Sequence, residues 1–193
     1  MRLSLVLASG SPQRRELLGR LGVPFTVRVS GAEELTQGAD PAAVAVENAL
    51  RKARAALTPG AAEAVLGCDT IVVLDGTIYG KPADEAAARA TMSALAGRTH
   101  EVISGVALLL DRDDDVEERT AVARSRVTFR NVDEPLLDWY LATEEWRGRS
   151  GGYAIQGASG GRLALRVEGE EENVVGLPLR TLRELGPELF GDA

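Results

Sequence analysis

Strands and helices alternate along the chain without repeats or a linker, which predicts an α/β fold: a mixed β-sheet with flanking helices. Three patterns carry that prediction. The short apolar run Leu3–Ala8 meets a Ser-Gly-Ser-Pro turn and then a leucine-rich helical period. Asp40-Pro41 and Asp84 each stand before an alanine-rich amphipathic stretch. Two β-branched segments, Ile103–Leu110 and Ala121–Phe129, read as long strands.

In chain order, Leu3–Ala8 is a buried strand, and Pro12 opens a helix carrying Leu17, Leu18 and Leu21 that stops at Gly22. Phe25–Val29 is a second strand, and residues 30–40 are a polar loop. Asp40 caps a helix to Leu57, with Val44, Ala45, Ala49, Ala53 and Leu57 facing inward. Val65–Val73 is a strand interrupted at Gly67-Cys68-Asp69-Thr70, and Asp75-Gly76 is a hairpin signal into Thr77–Tyr79. Asp84 caps a helix with Ala88, Met92 and Leu95 inward, ended by Gly97. The two long strands flank an acidic turn, Asp111–Glu118. Pro135–Leu141 is a helix, Gly148–Gly161 a glycine-rich segment, Leu163–Val167 a strand and Pro178–Leu185 a last helix.

The 193 residues suit one domain, or two lobes sharing one core, with an ordinary 45% hydrophobic and 26% charged content. No apolar run nears the roughly 20 residues that span a bilayer, so no membrane role is expected. Arg14, Arg15 and Glu16 follow the first apolar run too closely for a signal peptide. A single cysteine, Cys68, fits a reducing, cytoplasmic setting. The net charge of −7 carries no basic footprint for nucleic acid, so any polyphosphate must be met by a few cations converging in one cleft.

Several residues carry candidate chemistry. Ser9-Gly10-Ser11-Pro12-Gln13-Arg14 lies where a strand becomes a helix, whose free amides and dipole form an anion site that Arg14 strengthens. Asp69 interrupts an apolar strand, where a carboxylate is costly unless paired, metal-bound or at a cleft; it suits a general base, a metal ligand or a turn cap. Glu33 and Glu34 follow the second strand, and one of them can complete a hard-oxygen site for Mg²⁺ with Asp69, although neighbouring glutamates are more often simply solvated. Lys52 flanks a helix face, and Lys81 is held between Gly80 and Pro82. Gln156 sits among glycines, where its amide can read a base edge. His100 has no second histidine or nearby cysteine for a zinc site and reads as structural. Cys68 reads as a small buried residue. Trp139, Tyr140 and Trp146 can stack on a base, but such aromatics more often pack.

Taken together these segments resemble the Maf family, septum-formation-inhibitor-like proteins that are nucleotide pyrophosphatases. The resemblance runs through Leu7-Ala8-Ser9-Gly10-Ser11-Pro12 with Arg14, Glu16-Leu17-Leu18, Glu33, Lys52-Ala53, Gly67-Cys68-Asp69-Thr70 and Gly80-Lys81-Pro82. It continues through Ala96-Gly97-Arg98-Thr99-His100-Glu101-Val102, Glu145-Trp146, Gly151-Gly152-Tyr153-Ala154-Ile155-Gln156-Gly157 and Asn173-Val174-Val175-Gly176-Leu177-Pro178-Leu179. It implies an elongated fold of the inosine-triphosphatase-like type over residues 1–193, with two lobes around a cleft. It also implies Asp69 as proton acceptor, with Ser9, Arg14, Glu33, Lys52, Lys81 and Gln156 lining one pocket.

The expected reaction is hydrolysis of a nucleoside triphosphate, dTTP or UTP, to the monophosphate and pyrophosphate. Ser9, Arg14, Lys52 and Lys81 would hold the substrate, and Glu33 and Asp69 would hold a divalent metal, Mg²⁺ first, with Mn²⁺ or Co²⁺ as alternatives. Gln13, Thr70 and Gln156 would set specificity. Thr70 and Gln156 resemble the dTTP/UTP branch rather than the 7-methyl-GTP branch. Gln13 stands where the family has an arginine, Arg149-Ser150 where it has Lys-Ala, and Cys68 where alanine or serine is common. Rival readings are a non-catalytic nucleotide-binding regulator of septum formation and a house-cleaning enzyme for deaminated purines. A homodimer stays open.

Overall fold

The computed structural model describes residues 3–112, 115–157 and 160–191. Its elements are β1 (Ser4–Leu7), α1 (Pro12–Gly19), β2 (Phe25–Val27), α2 (Pro41–Ala56), β3 (Glu63–Leu74), β4 (Thr77–Tyr79), α3 (Glu85–Leu95), β5 (Thr99–Arg112), β6 (Asp115–Phe129), α4 (Glu134–Ala142), α5 (Gly160–Leu163), β7 (Ala164–Glu168), α6 (Glu171–Val175), α7 (Leu179–Leu185) and α8 (Pro187–Phe190). A 3₁₀ turn covers Ser150–Gly152. One mixed sheet runs β2-β1-β3-β5-β6-β7, with β4 on the same edge of β3 as β1. β1 is parallel to β2 and β3, and the remaining pairs are antiparallel.

Local chemistry starts α1, α2 and α3 where the sequence predicts and α4 one residue earlier, at Glu134. The side chains of Ser11, Asp40, Asp84 and Asp133 each accept a hydrogen bond from an amide of the first turn of α1, α2, α3 and α4. Asp75 and Gly76 both have positive φ, as a two-residue hairpin between β3 and β4 requires.

Three expectations need correcting. β3 is not interrupted: it is buried and continuous through Gly67-Cys68-Asp69-Thr70, because those residues pair with Ala107, Val106, Gly105 and Ser104 of β5. The acidic stretch at Asp111–Glu118 is mostly strand, since β5 and β6 run on into it; its centre, residues 113–114, lies outside the described residues. Alternation turns many of its charges outward, where Glu117 meets Arg119 and Glu118 meets Arg54. The C-terminal region holds α6 and α8 besides α7, two helices too short to show a period. Residues 158–159 of the glycine-rich segment also lie outside the described residues.

The two faces of the sheet are built differently. On one face, α2 lays Ala42, Ala45, Ala49, Ala53 and Ala56 against Val65, Ile71, Ile103, Ala107 and Leu109. The approach is so close that a Cβ on Gly67 would stand 2.1 Å from the Ala49 carbonyl oxygen, and one on Gly105 2.3 Å from the Ala45 carbonyl carbon and oxygen. On the other face there are two cores. Leu66, Cys68, Val106 and Leu108 pack with α1, α7 and α8, whereas Val72, Leu74, Val102 and Val127 pack with α3 and α4. Between them, the cross-strand pair Thr70 and Ser104 joins hydroxyl to hydroxyl at 2.8 Å.

Trp146 and Tyr140 are buried in the second of these cores rather than placed to stack on a ligand, and Trp139 packs against its edge under the Arg162 guanidinium. His100 is structural, as expected. It is edge-on to Phe129 and Tyr153, and its Nε2 lies 2.8 Å from the Tyr153 hydroxyl.

Gly105→Ala must push α2 off the sheet, because backbone atoms rather than a flexible side chain stand in the way. A loss of at least about 2 kcal/mol is expected from overpacking of this kind, measured by urea unfolding. An unchanged midpoint would mean that α2 tolerates displacement.

Burial pushes the His100 pKa down from 6.5 to about 4. As pH falls through that window the unfolded chain takes up a proton that the native state refuses, so stability is full above 6.5 and declines towards 4. The histidine contributes up to about 3 kcal/mol to that decline. Melting temperatures for the wild type and His100→Gln between pH 4 and pH 7 check this: the variant should show the shallower dependence.

Candidate active site

The cleft opens at a gap in the sheet. Along one edge of β3, β1 pairs only as far as Leu66 and β4 begins only at Val72. The exposed edge in between carries Asp69 and Thr70, whose side chains point to opposite faces because strand residues alternate. Its backbone is satisfied from outside the sheet: the Ser150 hydroxyl donates to the Thr70 carbonyl at 2.6 Å, and Lys52 Nζ lies 3.4 Å from the Cys68 carbonyl. The resulting cleft holds about 480 Å³, a size suited to a nucleotide.

On the α2 face, Asp69 is only 4% exposed yet fully partnered. Its Oδ1 is 2.6 Å from Lys52 Nζ, and its Oδ2 accepts from Asn48 Nδ2 at 2.9 Å. Asn48 and Lys52 are one helical turn apart on α2, so both reach the same carboxylate. Lys52 Nζ is also 2.8 Å from Glu34 Oε1, which lies 3.5 Å from Lys81 Nζ. Burial works to raise the Glu34 pKa, but the hydrogen bond and charge of Lys52, with Lys81 and Arg14, hold it below the ordinary carboxylate value.

On the opposite face, Arg14 leaves the first turn of α1 and donates from Nε to the Gly176 carbonyl at 2.9 Å. Its Nη1 donates to Ser9 Oγ at 3.3 Å and its Nη2 to Thr70 Oγ1 at 3.4 Å. Three of its five N–H groups are thus engaged, which fixes the fork and leaves two for a ligand. Gly176, from the turn after α6, also receives Cys68 Sγ at 3.4 Å. Burial pushes that thiol up, so Cys68 is an inert packing residue. Gln13 accepts from the Ser11 hydroxyl at 3.0 Å, which ties its amide to the helix start.

Of the residues singled out from sequence, Ser9, Gln13, Arg14, Lys52, Thr70, Lys81 and Gln156 all line this one cleft. Asp69 lies just behind Lys52. Glu33 does not join them: it is exposed and outside the lining, whereas its neighbour Glu34 reaches the lysines. The loop turns one of the two adjacent glutamates inward, a choice with no signal in their order. Sequence reasoning gave no site role to Asn48, Ser150 or Tyr153, and treated Arg149 only as a change of residue type. Arg149 lines the cleft, and its buried Nη1 has no hydrogen-bond partner. Asn48 had one available signal, a polar residue four before Lys52 on the alanine face of α2.

Glu34 and Asp69 supply hard oxygen donors joined through Lys52, a donor type that fits a divalent cation such as Mg²⁺ or Mn²⁺. Among the described residues no group of three His, Cys, Asp or Glu side chains converges as a metal cage. No helix among them is long and apolar enough to cross a membrane.

The family model of the Maf-like proteins matches residues 4–188. A dTTP/UTP pyrophosphatase of Deinococcus radiodurans is 44% identical over 191 residues, covering 97% of this chain and 95% of the relative. Proteins of the same name from Symbiobacterium thermophilum and Moorella thermoacetica are each 45% identical, covering 94% of this chain and 92% of the relative. A family match across nearly the whole chain, with relatives this similar at nearly full length, makes the chain a member of the Maf family.

Proposed function

We propose that this protein hydrolyses dTTP and UTP to the nucleoside monophosphate and pyrophosphate in the cytoplasm. The names of its relatives support the substrate, and the geometry of the cleft supports the reaction class. The observation that carries the reading is the Asp69–Lys52–Glu34 chain, its first two members buried, beside a cleft with Arg14 on one wall and Lys81 on another.

The triphosphate would lie across Arg14, Lys52, Lys81 and the N-terminal amides of α1, which offset its charge and stabilise the departing pyrophosphate. Asp69 would take a proton from the attacking water. The new bond joins the water oxygen to phosphorus, and the bond that breaks is the anhydride link between the α and β phosphates. Glu34 and Asp69 are the carboxylates that would hold a divalent cation, which would supply charge neutralisation at the phosphate oxygens. Asn48 would keep Asp69 in its rotamer. Gln13, Thr70 and Gln156 would face the base, with Gln13 in place of a charged fork.

Incubating the protein with UTP and Mg²⁺ should yield UMP and pyrophosphate, and Asp69→Asn should lower turnover by about 100-fold or more, the ordinary weight of a general base. UDP as first product, resolved by chromatography, would sink the reading.

The two adjacent glutamates make a sharper comparison. Glu34→Gln should reduce kcat/KM by at least about tenfold, the usual cost of an altered metal or second-shell partner. Glu33→Gln should stay near wild type. The reverse order would return the role to Glu33.

A further inference from the structure

The ammonium of Lys52 occupies the position of a shared cation. It is 2.6 Å from Asp69 Oδ1 and 2.8 Å from Glu34 Oε1, and its side chain is only 9% exposed. Both Asp69 oxygens already accept, because Asn48 Nδ2 donates to Oδ2 at 2.9 Å. Lys81 stands at the outer side of Glu34. Two lysines therefore balance two carboxylates. A free dication arriving there would add charge to a neutral cluster, close to Arg14, and would have to displace the Lys52 ammonium from Asp69 Oδ1 and Glu34 Oε1.

We propose that Lys52 keeps the metal site closed until a polyphosphate arrives, so that Asp69 and Glu34 become available to a divalent cation only when a nucleotide is bound. Phosphate oxygens give Lys52 and Lys81 new acceptors. The lysines turn to the phosphates, and Asp69 and Glu34 are released to the cation in the same event. Asp69 is freed to accept a proton only when substrate is bound, which keeps the base idle until then. The compact ammonium of lysine suits this exchange, since it can rotate about a flexible stem, whereas a guanidinium fork would stay locked on the carboxylates. The inference rests on the pyrophosphatase reading for its substrate but not for its test.

The test is equilibrium dialysis and electron paramagnetic resonance with Mn²⁺ on metal-stripped protein. Free wild-type protein should retain no stoichiometric Mn²⁺ at concentrations where it retains one equivalent with the non-hydrolysable α,β-methylene analogue of UTP. Lys52→Met, with Lys52→Gln as a second variant should the first fail to fold, should bind Mn²⁺ without nucleotide at least about tenfold more tightly than wild type, a shift of about 1.4 kcal/mol. Adding Asp69→Asn should abolish that gain.

One-site binding of Mn²⁺ to the free wild type that Asp69→Asn removes would overturn the proposal. So would a folded Lys52 variant with no gain. The two readings fail separately: a protein that shows this binding pattern but leaves UTP intact keeps the lysine lock and loses the pyrophosphatase assignment. One that hydrolyses UTP yet binds Mn²⁺ in the free state loses only the lock.

Discussion

The distance between α2 and the sheet is the constraint on which the site depends. Gly67 and Gly105 lie on neighbouring strands, and neither has room for a methyl group beneath the backbone of α2 at Ala49 and Ala45. The alanine stripe of the helix lets it settle to that depth. A side chain on either strand would lift the helix, and Asn48 and Lys52 would rise with it. Asp69 is Gly105's cross-strand partner, so the glycine that admits the helix sits beside the carboxylate the helix must reach. Burying Asp69 in an otherwise apolar strand is tolerable only because both of its oxygens are met there.

The opposite face solves a different problem. Two apolar cores share one sheet, and Thr70 and Ser104 mark the change from one to the other, where neither core covers the strands. Polar side chains at that seam are satisfied mutually, and Gly176 brings a carbonyl from the C-terminal region to meet Arg14 from the N-terminal one. Arg14 is thereby pre-oriented before any ligand arrives, which lowers the entropy that binding must overcome. The gap between β1 and β4 connects the two faces. A ligand in it can meet the fixed guanidinium on one side and the lysine–carboxylate chain on the other.

Much of this was legible from sequence, for reasons that differ by element. Caps announced themselves at Ser11, Asp40 and Asp84, which each precede a helix whose amides need an acceptor, whereas Asp133 passed unread before the proline that marked its helix. The cluster Ser9, Gln13, Arg14, Lys52, Thr70, Lys81 and Gln156 came from many ordered segments read jointly, since no one of them is specific alone. The reading failed where a local pattern had two meanings. Gly67-Cys68-Asp69-Thr70 reads as an interruption, yet its glycine is there for the helix above and its polar groups for partners distant in sequence. Glu33 and Glu34 are chemically the same, and only the path of a loop decides which turns inward. Asn48, Ser150 and Tyr153 act through partners from other elements, Asp69, Thr70 and His100, which periodicity cannot report.

The charge distribution reconciles an acidic protein with an anionic ligand. At a net −7 the long-range field opposes a polyphosphate, and ionic screening beyond about 10 Å weakens that opposition. The cleft itself is lined by Arg14, Lys52 and Lys81, with Arg149 beside them on its wall. Elsewhere many of the arginines are held in surface ion pairs, such as Arg54 with Glu118, Arg89 with Glu134 and Arg119 with Glu188. Those pairs contribute little to stability individually, but they leave fewer exposed cations to compete for the ligand. Arg14 differs in kind, because its guanidinium is held by neutral carbonyl and hydroxyl acceptors and keeps its full charge towards the cleft. Lys52 is the reverse case, neutralised by two carboxylates until something else accepts it. A permanent cation and a conditional one, on opposite faces of the same strand, would let the site attract a phosphate chain first and uncover its carboxylates afterwards.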